Sequence, residues 1–404
     1  MANTTSFSTN RRSTLRRVAG GVALVAIAVA ASAGWVLSRP QEATITRVAT
    51  GLENPRGIAA LPDGRLLVVE AGDGRDTDDA SEESGRVSIF EDLNRDGDFD
   101  DASEIVPMLS EIASYNTIAG VGVGHDEVGG AGDIISLDDG SFFFTRDDPT
   151  EGYAPDGSTR GINVVEVGPD FRMKGNLIVR NVTLNALAFD PRAEIFYVAE
   201  SGANRLTAVT MDGTARTVVE FPRLAQGQEA VPAGLAIDPT TGDVLVALFS
   251  GNIDDYFGTV LPYMPGAAKI VRVDPATGEQ ADAVTGLTTA VDVAVDENGN
   301  IFVVEFTSDW PPAPTPRDFD RFDPNAAPDP GGYDRFAGSV TLYPADGTSP
   351  LWWLDGLDLP TNITYADGAL YVSTGQGTPG RPIIGPDGLT RIVGEIYRIV
   401  NFPP

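Results

Sequence analysis

The stretch GIAALPDGRLLVVE at residues 57–70 decides the fold. Small and apolar residues are followed by a Pro-Asp-Gly turn and by a run of branched apolar residues, a pattern typical of a tight β-hairpin. Five further stretches repeat it: DIISLDDGSFFFTR at 133–146, ALAFDPRAEIFYVAE at 186–200, GLAIDPTTGDVLVAL at 234–248, DVAVDENGNIFVVE at 292–305 and NITYADGALYVST at 362–374. Six copies of one hairpin predict a repeated β architecture.

Each hairpin is followed by two further short strands, such as RVSIFED at 86–92 and TARTVVEF at 214–221. Four antiparallel strands make one blade of a β-propeller, and we name them A to D from the centre outwards. The sixth copy stops at strand C, whereas ATITRVATG at 43–51 has the pattern of a spare strand D. We therefore predict an all-β, six-bladed β-propeller over residues 40–404, in which the N-terminal strand closes the last blade.

The N-terminal residues 1–39 have the pattern of an export element. Four arginines at positions 11, 12, 16 and 17 precede an uncharged apolar run at residues 18–36, and NRRSTLR at 10–16 resembles a twin-arginine signal. The run is either cleaved near Ala33 or retained as a helix about 28 Å long, enough to span a bilayer. Both alternatives predict an extracytoplasmic propeller, whether periplasmic, secreted or anchored to the outer side of the cytoplasmic membrane, that meets the membrane only through this segment.

Composition excludes several classes of function. The net charge of −30 opposes binding to nucleic acid, and the chain has no cysteine and a single histidine. The glycine-rich stretch GVGVGHDEVGGAGD at 120–133 precedes no helical pattern, so neither a nucleotide nor a redox cofactor is predicted. No G-x-S-x-G motif is present, and the sequence contains no complete set of catalytic residues.

The channel of the predicted propeller is the first candidate site. The six strands A begin at similar height, which brings their first residues around one channel. We predict that polar side chains meet at its mouth, from the starts of strand A, the ends of strand B and the connection into blade two: Asp133, Asn185, Asp292, Asn362, Glu70, Glu200, Glu305 and His125. Such oxygen donors could hold Ca²⁺. The alternative is a channel lined by water and by carboxylates paired with arginines.

A second candidate site follows strand C of blade one. Oxygen-bearing side chains alternate around Gly97, as in the calcium loop of an EF-hand: Asp92, Asn94, Asp96, Asp98, Asp100 and Glu104. The pattern departs from an EF-hand at its twelfth position, which is Ser103, with Glu104 one residue later. We predict a structural calcium site here, on the face opposite the long loops; the alternative is an ordinary solvated turn.

The long segments predict which face binds partners. Five of them connect strand B to strand C: residues 71–85, 146–160, 250–267, 306–337 and 375–393. All B–C connections emerge on the same face of a propeller, because successive strands alternate in direction. We predict that this face binds a protein or a small-molecule ligand.

The sequence resembles the ScyD/ScyE family of exported propellers over nearly its whole length after residue 43. The resemblance lies in five stretches: residues 49–74, GGAGDIISLDDG at 129–140, residues 200–222, residues 231–248 and GEIYRI at 394–399. Such propellers are also similar to NHL-repeat proteins and to sugar-lactone hydrolases of the gluconolactonase type. The lactonase metal ligands match only loosely, at Asp292 and Asn362. The resemblance implies a fold and an exported location, and scarcely narrows function.

Two functions follow from these observations. The first is a non-enzymatic, calcium-stabilised binding or scaffold propeller, favoured by the incomplete catalytic set. The alternative is a metal-dependent hydrolase of the sugar-lactonase type, with Asp133, Asp292, Asn362 and Glu305 as ligands in the channel.

Overall fold

The computed structural model describes residues 43–75, 82–116, 125–147, 162–180, 182–256, 259–313, 315–316, 319–329 and 331–402. Over these ranges the chain is built of strands, apart from one short 3₁₀ turn at Ser201–Ala203. No helix in the described ranges is long and apolar enough to cross a membrane. The predicted export segment at residues 18–36 lies outside them.

The strands follow the predicted order, with three short hairpins inserted between or within blades. The first strand is β1 (Thr44–Leu52). The next ten strands form blades one and two and the first inserted hairpin, which consists of β6 and β7. They are β2 (Pro55–Ala60), β3 (Leu66–Glu70), β4 (Gly85–Phe90), β5 (Ile105–Ile112), β6 (Tyr115–Asn116), β7 (Val128–Gly129), β8 (Ala131–Ser136), β9 (Phe142–Arg146), β10 (Ile162–Val167) and β11 (Met173–Arg180). Blades three and four contain β12 (Leu187–Asp190), β13 (Ile195–Glu200), β14 (Arg205–Thr210), β15 (Ala215–Glu220), β16 (Pro232–Ile237), β17 (Val244–Leu248), β18 (Ile253–Tyr256), β19 (Thr259–Leu261), β20 (Ala268–Val273) and β21 (Gln280–Leu287). Blades five and six contain β22 (Ala290–Val295), β23 (Ile301–Glu305), β24 (Gly338–Tyr343), β25 (Trp352–Leu357), β26 (Asn362–Ala366), β27 (Ala369–Thr374), β28 (Pro382–Gly385), β29 (Gly388–Arg391) and β30 (Gly394–Val400).

The ring closes through the N-terminal strand, as predicted. The sixth sheet has the order β1-β30-β27-β26. Strand β1 runs antiparallel to β30, with Thr44 opposite Val400 and Leu52 opposite Gly394. The last blade is therefore completed by residues that precede the first, which removes an open sheet edge. The six-bladed propeller is confirmed.

Apolar side chains fill the spaces between neighbouring blades. Strands β3, β9 and β17 are buried at every position, because strand B packs against a neighbouring blade on each of its two faces. Between blades one and two, for example, Leu67 and Val69 pack with Phe142 and Phe144. Full burial of side chains of this size contributes about 1.5–3 kcal/mol each. Strand B consequently begins with a run of apolar residues instead of an alternating pattern.

The long connections share one face, which we call the loop face. In the described ranges it carries the ends of the B–C connections, which span residues 71–84, 147–161, 249–267, 306–337 and 375–393 in the sequence, together with the D–A connections. The A–B turns on the opposite face are short, as at residues 61–65 and 367–368. The predicted division of long and short connections is confirmed by the bounds of the strands.

Candidate functional site

Three polar side chains meet inside the channel at the starts of strands A. The Nδ2 atom of Asn362 donates to Oδ2 of Asp292 at 2.7 Å and to Oδ1 of Asp133 at 3.3 Å. All three residues are buried or nearly so. We call Asp133, Asp292 and Asn362 the channel belt. Their predicted convergence is found in the structure.

Each belt side chain also links its own blade to the next one. A backbone N–H on the strand A of the following blade donates to it: Leu187 to Asp133 at 2.8 Å, Ile363 to Asp292 at 2.8 Å, and Ile58 to Asn362 at 3.2 Å. These bonds connect blade two to three, five to six and six to one. The belt therefore has a structural task in holding the ring together.

Glycine replaces a polar residue where neighbouring blades approach too closely for a side chain. A Cβ atom on Gly57 would lie 2.5 Å from the backbone nitrogen of Ile134, and one on Gly234 would lie 2.2 Å from Oδ1 of Asp292. Contacts this short do not occur, so neither position accepts a larger residue without moving a blade. These two positions of the ring therefore require glycine.

A polar cavity of about 230 Å³ lies above the belt and opens towards the loop face. The belt forms its floor. Besides the apolar Phe249 and Val291, its walls carry polar side chains from the loop-face connections: Arg56, His125, Glu127, Asn185, Glu229, Asn252 and Tyr333. A second cavity of about 280 Å³ lies below and shares the three belt residues. The belt therefore separates the two cavities.

The negative charge of the upper cavity is balanced at its walls and unbalanced at its floor. Glu127 forms an ion pair with Arg56 at 3.6 Å, and Glu229 forms one with Arg223 at 3.1 Å. Neither Asp133 nor Asp292 forms an ion pair with any residue that the structure describes. Their charges are compensated only by hydrogen bonds from backbone N–H groups and from the Asn362 amide.

Burial shifts the proton affinity of both floor carboxyls upwards. Burial raises the pKa of Asp133 to about 6, against the lowering effect of hydrogen bonds from Leu187 and Ile134. The pKa of Asp292 is raised well above its ordinary value, first by burial and then by the charge of Asp133. A pair of carboxyls in this state binds either a proton or a cation more strongly than exposed aspartates do.

The floor has the donor chemistry of a hard-cation site. Oδ2 of Asp133 and Oδ1 of Asp292 each accept one backbone hydrogen bond, which leaves a lone pair on each oxygen. In the described ranges no three acidic or histidine side chains are grouped closely enough to hold a metal ion. A cation bound by these two carboxylates would therefore complete its coordination with amide oxygens, such as that of Asn185 on the cavity wall, and with water.

His125 belongs to the cavity wall, as predicted. Its side chain is buried, and its ring centroid lies 5.0 Å from that of Tyr333. The hydroxyl of Tyr333 donates to Oε2 of Glu127 at 3.4 Å. Burial lowers the pKa of His125, although Glu127 and Asp126 act in the opposite direction. The imidazole is thus neutral at pH 7 and able to accept a proton.

The three glutamates predicted at the channel mouth do not line either cavity. Glu70 accepts two hydrogen bonds from Arg86, at 2.6 and 2.7 Å. Glu200 accepts from Arg180 at 3.0 Å and is also paired with Arg205. Strand B lies one strand, about 4.8 Å, farther from the axis than strand A, so its terminal side chains reach neighbours outside the channel.

Glu305 likewise lies outside both cavities. Its Oε1 atom accepts a hydrogen bond from the backbone nitrogen of Thr288 at 2.6 Å, and burial raises its pKa. This contact braces the start of blade five. Glu305 therefore does not join Asp133, Asp292 and Asn362 as a ligand in the structure.

Comparison with known proteins identifies similar folds. Residues 120–290 match the family model described as SMP-30/Gluconolactonase/LRE-like region. The chain is similar to this family over that part of its length, and its fold is a six-bladed β-propeller. It is similar to the structure of a gluconolactonase from Xanthomonas campestris, at 11% identity over 90% of this chain and 91% of that one, with a TM-score of 0.52. It is also similar to a protein of unknown function from Bacteroides thetaiotaomicron, at 10% identity over 89% and 76%, with a TM-score of 0.51. No curated protein matches the sequence.

The acidic loop lies in the C–D turn of blade one, between β4 and β5, as predicted. Its side chains cap backbone N–H groups: Oδ2 of Asp92 accepts from Gly97 at 3.0 Å, and Oδ1 of Asp98 from Asp100 at 3.0 Å. Glu104 is buried and accepts from Leu93 at 2.9 Å. These contacts hold the loop in a defined conformation, and calcium binding there stays a prediction.

Sequence reasoning missed several residues of the cavity wall. Glu127, Glu229 and Asn252 come from connections with no recognisable motif, and Tyr333 lies at the end of a proline-rich loop. The one available signal was the neighbourhood of His125, since Glu127 stands two residues away. The others depend on how loops from different blades fold over the channel.

Proposed function

We propose that the protein is a cation-dependent hydrolase of the sugar-lactonase type that binds a small polar ligand in the cavity above the channel belt. The observation that supports this most directly is the pair of buried carboxyls, Asp133 and Asp292, on the floor of a polar cavity. They lack an ion-pair partner among the described residues, and burial raises the pKa of each. A bound divalent cation would supply the missing positive charge and would polarise a carbonyl group of the ligand.

The wall residues suit the remaining needs of lactone hydrolysis. Water adds to the carbonyl carbon, the ring C–O bond breaks, one proton leaves the water, and one proton is returned to the alkoxide. His125 is neutral at pH 7 and lines the cavity, so it fits the role of the group that accepts and returns the proton. Asn185 and Asn252 offer hydrogen bonds to hydroxyl groups of a ligand.

The first experiment measures Ca²⁺ binding by calorimetry to the propeller of residues 40–404. Asp133→Asn and Asp292→Asn should weaken binding at least tenfold. Asp96→Ala, in the acidic loop, is the matched control and should leave this binding unchanged. If Asp292→Asn binds Ca²⁺ as well as the native protein does, the belt is not a cation site.

The second experiment tests the reaction itself. Hydrolysis of D-glucono-δ-lactone and related lactones is followed by acid release, with Ca²⁺ and with a chelator. We expect activity that requires the cation and falls at least 100-fold in His125→Gln. Cation binding at the belt without hydrolysis of any lactone would reject the enzyme and retain a binding role.

That binding role is the second candidate, and exposed apolar side chains on the loop face favour it. Trp310 is 57% exposed in the B–C connection of blade five, and Ile384 and Leu389 are 63% and 72% exposed in that of blade six. The latter two face each other across the hairpin of β28 and β29. In this version the propeller is a scaffold whose acidic loop at residues 92–104 is stabilised by calcium. Ile384→Ser with Leu389→Ser should then abolish partner binding and leave Ca²⁺ affinity at the belt intact.

The proposed location is extracytoplasmic, and the proposed family is ScyD/ScyE. The basic and apolar pattern of residues 11–36 and the five stretches of resemblance support these proposals. Fractionation of cells that express the full chain tests the location. Replacing Arg11 and Arg12 by lysine should leave the protein in the cytoplasm if the twin-arginine signal is used.

A further inference from the structure

The wall of the upper cavity contains a junction between two segments from different blades. Residues 125–127 belong to the connection from blade one to blade two and supply His125 and Glu127. Asp329 and residues 331–333 belong to the B–C connection of blade five and supply Tyr333. The backbone nitrogen of Asp126 donates to the carbonyl oxygen of Gly331 at 2.9 Å, which joins the two segments directly.

A third segment contributes one arginine behind this junction. The side chain of Arg381, from the B–C connection of blade six, is 0% exposed. Its Nε atom lies 2.5 Å from Oδ2 of Asp126, and its Nη1 atom donates to the carbonyl oxygen of Asp329 at 2.5 Å. One guanidinium group therefore contacts both segments of the cavity wall without lining the cavity itself.

Asp126 is placed so that this contact orients its neighbours. Its carboxylate faces away from the cavity and accepts hydrogen bonds from Nδ2 of Asn116 at 2.6 Å and from the hydroxyl of Thr378 at 2.8 Å. His125 and Glu127 are its two neighbours in the chain. Both line the cavity, whereas Asp126 does not.

Close packing leaves little freedom at the junction. Gly331 has a φ of +74°, and a Cβ atom there would lie 2.8 Å from Nη2 of Arg381 and 3.1 Å from Cβ of Asp126. The backbone of the blade-five segment thus rests against the guanidinium group. Displacement of Arg381 would move Gly331, and with it Tyr333 two residues later.

We propose that Arg381 is the positioning residue of the cavity, which fixes His125, Glu127 and Tyr333 relative to one another through Asp126 and Asp329. The effect of Arg381 on the geometry of the wall is independent of what the cavity binds. Its effect on ligand affinity rests on the proposed function.

The test uses the single histidine of the chain. Its imidazole NMR signal reports only on the cavity wall, and its titration gives the pKa, which burial lowers in the native protein. In Arg381→Met the wall should open, and the pKa of His125 should rise towards the ordinary value of about 6.5. Arg381→Lys, which keeps the charge but cannot contact both segments, should give an intermediate value.

Two variants separate positioning from general stability. Arg272→Met removes another well-packed arginine, paired with Asp238 at 2.5 Å near an A–B turn, and should lower stability without moving the His125 titration. Arg381→Met combined with Asp126→Asn avoids an unpaired buried carboxylate and serves if the single variant does not fold. A folded Arg381 variant with an unchanged His125 titration overturns the proposal.

Ligand measurements then separate this proposal from the proposed function. If D-glucono-δ-lactone is a substrate, Arg381→Lys should raise KM several-fold while the Ca²⁺ affinity of the belt stays the same. If the native protein hydrolyses no lactone, the proposed reaction fails, and the His125 titration still decides the role of Arg381.

Discussion

Replacing Asp133 by asparagine should remove a specific pH dependence of stability. Burial raises the pKa of Asp133 to about 6, whereas an unfolded aspartate has a pKa of about 3.9. The folded state therefore holds a proton that the unfolded chain has released. The resulting stabilisation is fully present below about pH 4 and is lost as the pH rises through about 6. The total loss is about 3 kcal/mol, of which about 1.4 kcal/mol falls between pH 5 and pH 8.

The assay is urea denaturation of both proteins in a chelator at pH 5, 6, 7 and 8. Subtracting the free energy of unfolding of Asp133→Asn cancels the contribution of the overall charge of −30, which both share closely. The substitution also deprives one backbone N–H, of Leu187 or Ile134, of its acceptor. That costs about 1–3 kcal/mol, but the cost does not change with pH.

Two results would refute this reasoning. A difference that stays constant within about 0.3 kcal/mol from pH 5 to pH 8 would mean that the pKa of Asp133 is not raised. A native protein that gains no stability from millimolar Ca²⁺ at pH 8 would mean that the carboxylates do not bind a cation, because a ligand of the folded state must stabilise it. Asp133→Asn should lose the part of this gain that comes from the belt and keep any part that comes from the acidic loop.

Three further predictions concern the frame around the site. A chain that starts at residue 55 lacks β1, leaves β30 unpaired and should lose cooperative thermal unfolding by circular dichroism; equal stability to a chain that starts at residue 43 would contradict ring closure by β1. Glu200→Gln should lower the free energy of unfolding by about 2–3 kcal/mol in urea, because it leaves Arg180 and Arg205 without their buried carboxylate, and should not alter Ca²⁺ binding at the belt. Asp96→Ala should lower the melting temperature in calcium but not in chelator, and an equal drop in both would exclude calcium from the acidic loop.

The blades could be predicted because their signals are local. Alternation, Asp-Gly turns and the six repeated hairpins act over fewer than twenty residues, and the spare strand at 43–51 followed from counting strands. The meeting of Asp133, Asp292 and Asn362 could also be predicted, since all three lie at or near the start of a strand A and the repeat fixes their height. Their roles as links between blades could not, because the donors lie on a neighbouring blade.

The cavity wall could not be predicted, because its contacts join loops that are distant in sequence. Thr378 and Asp126, for example, form a hydrogen bond across 252 residues. Glu70 and Glu200 failed as channel residues for a different reason. Their position at the end of strand B was predicted, but each has an arginine within reach outside the channel, and a buried carboxylate takes such a partner.

The belt combines two tasks that are physically coupled. The hydrogen bonds that join the blades lower the pKa of Asp133 and Asp292, but burial raises the pKa of each by more. Closing the ring therefore buries two carboxyl groups that have no counter-charge among the described residues. A cation on the floor of the cavity would offset that cost and leave the backbone hydrogen bonds in place. Cation binding should therefore tighten the junctions of blade two with three and of blade five with six. Hydrogen exchange of the Leu187 and Ile363 amides, slower with Ca²⁺ than with chelator, would show this coupling, while the Ile58 amide, bonded to the neutral Asn362, should respond less.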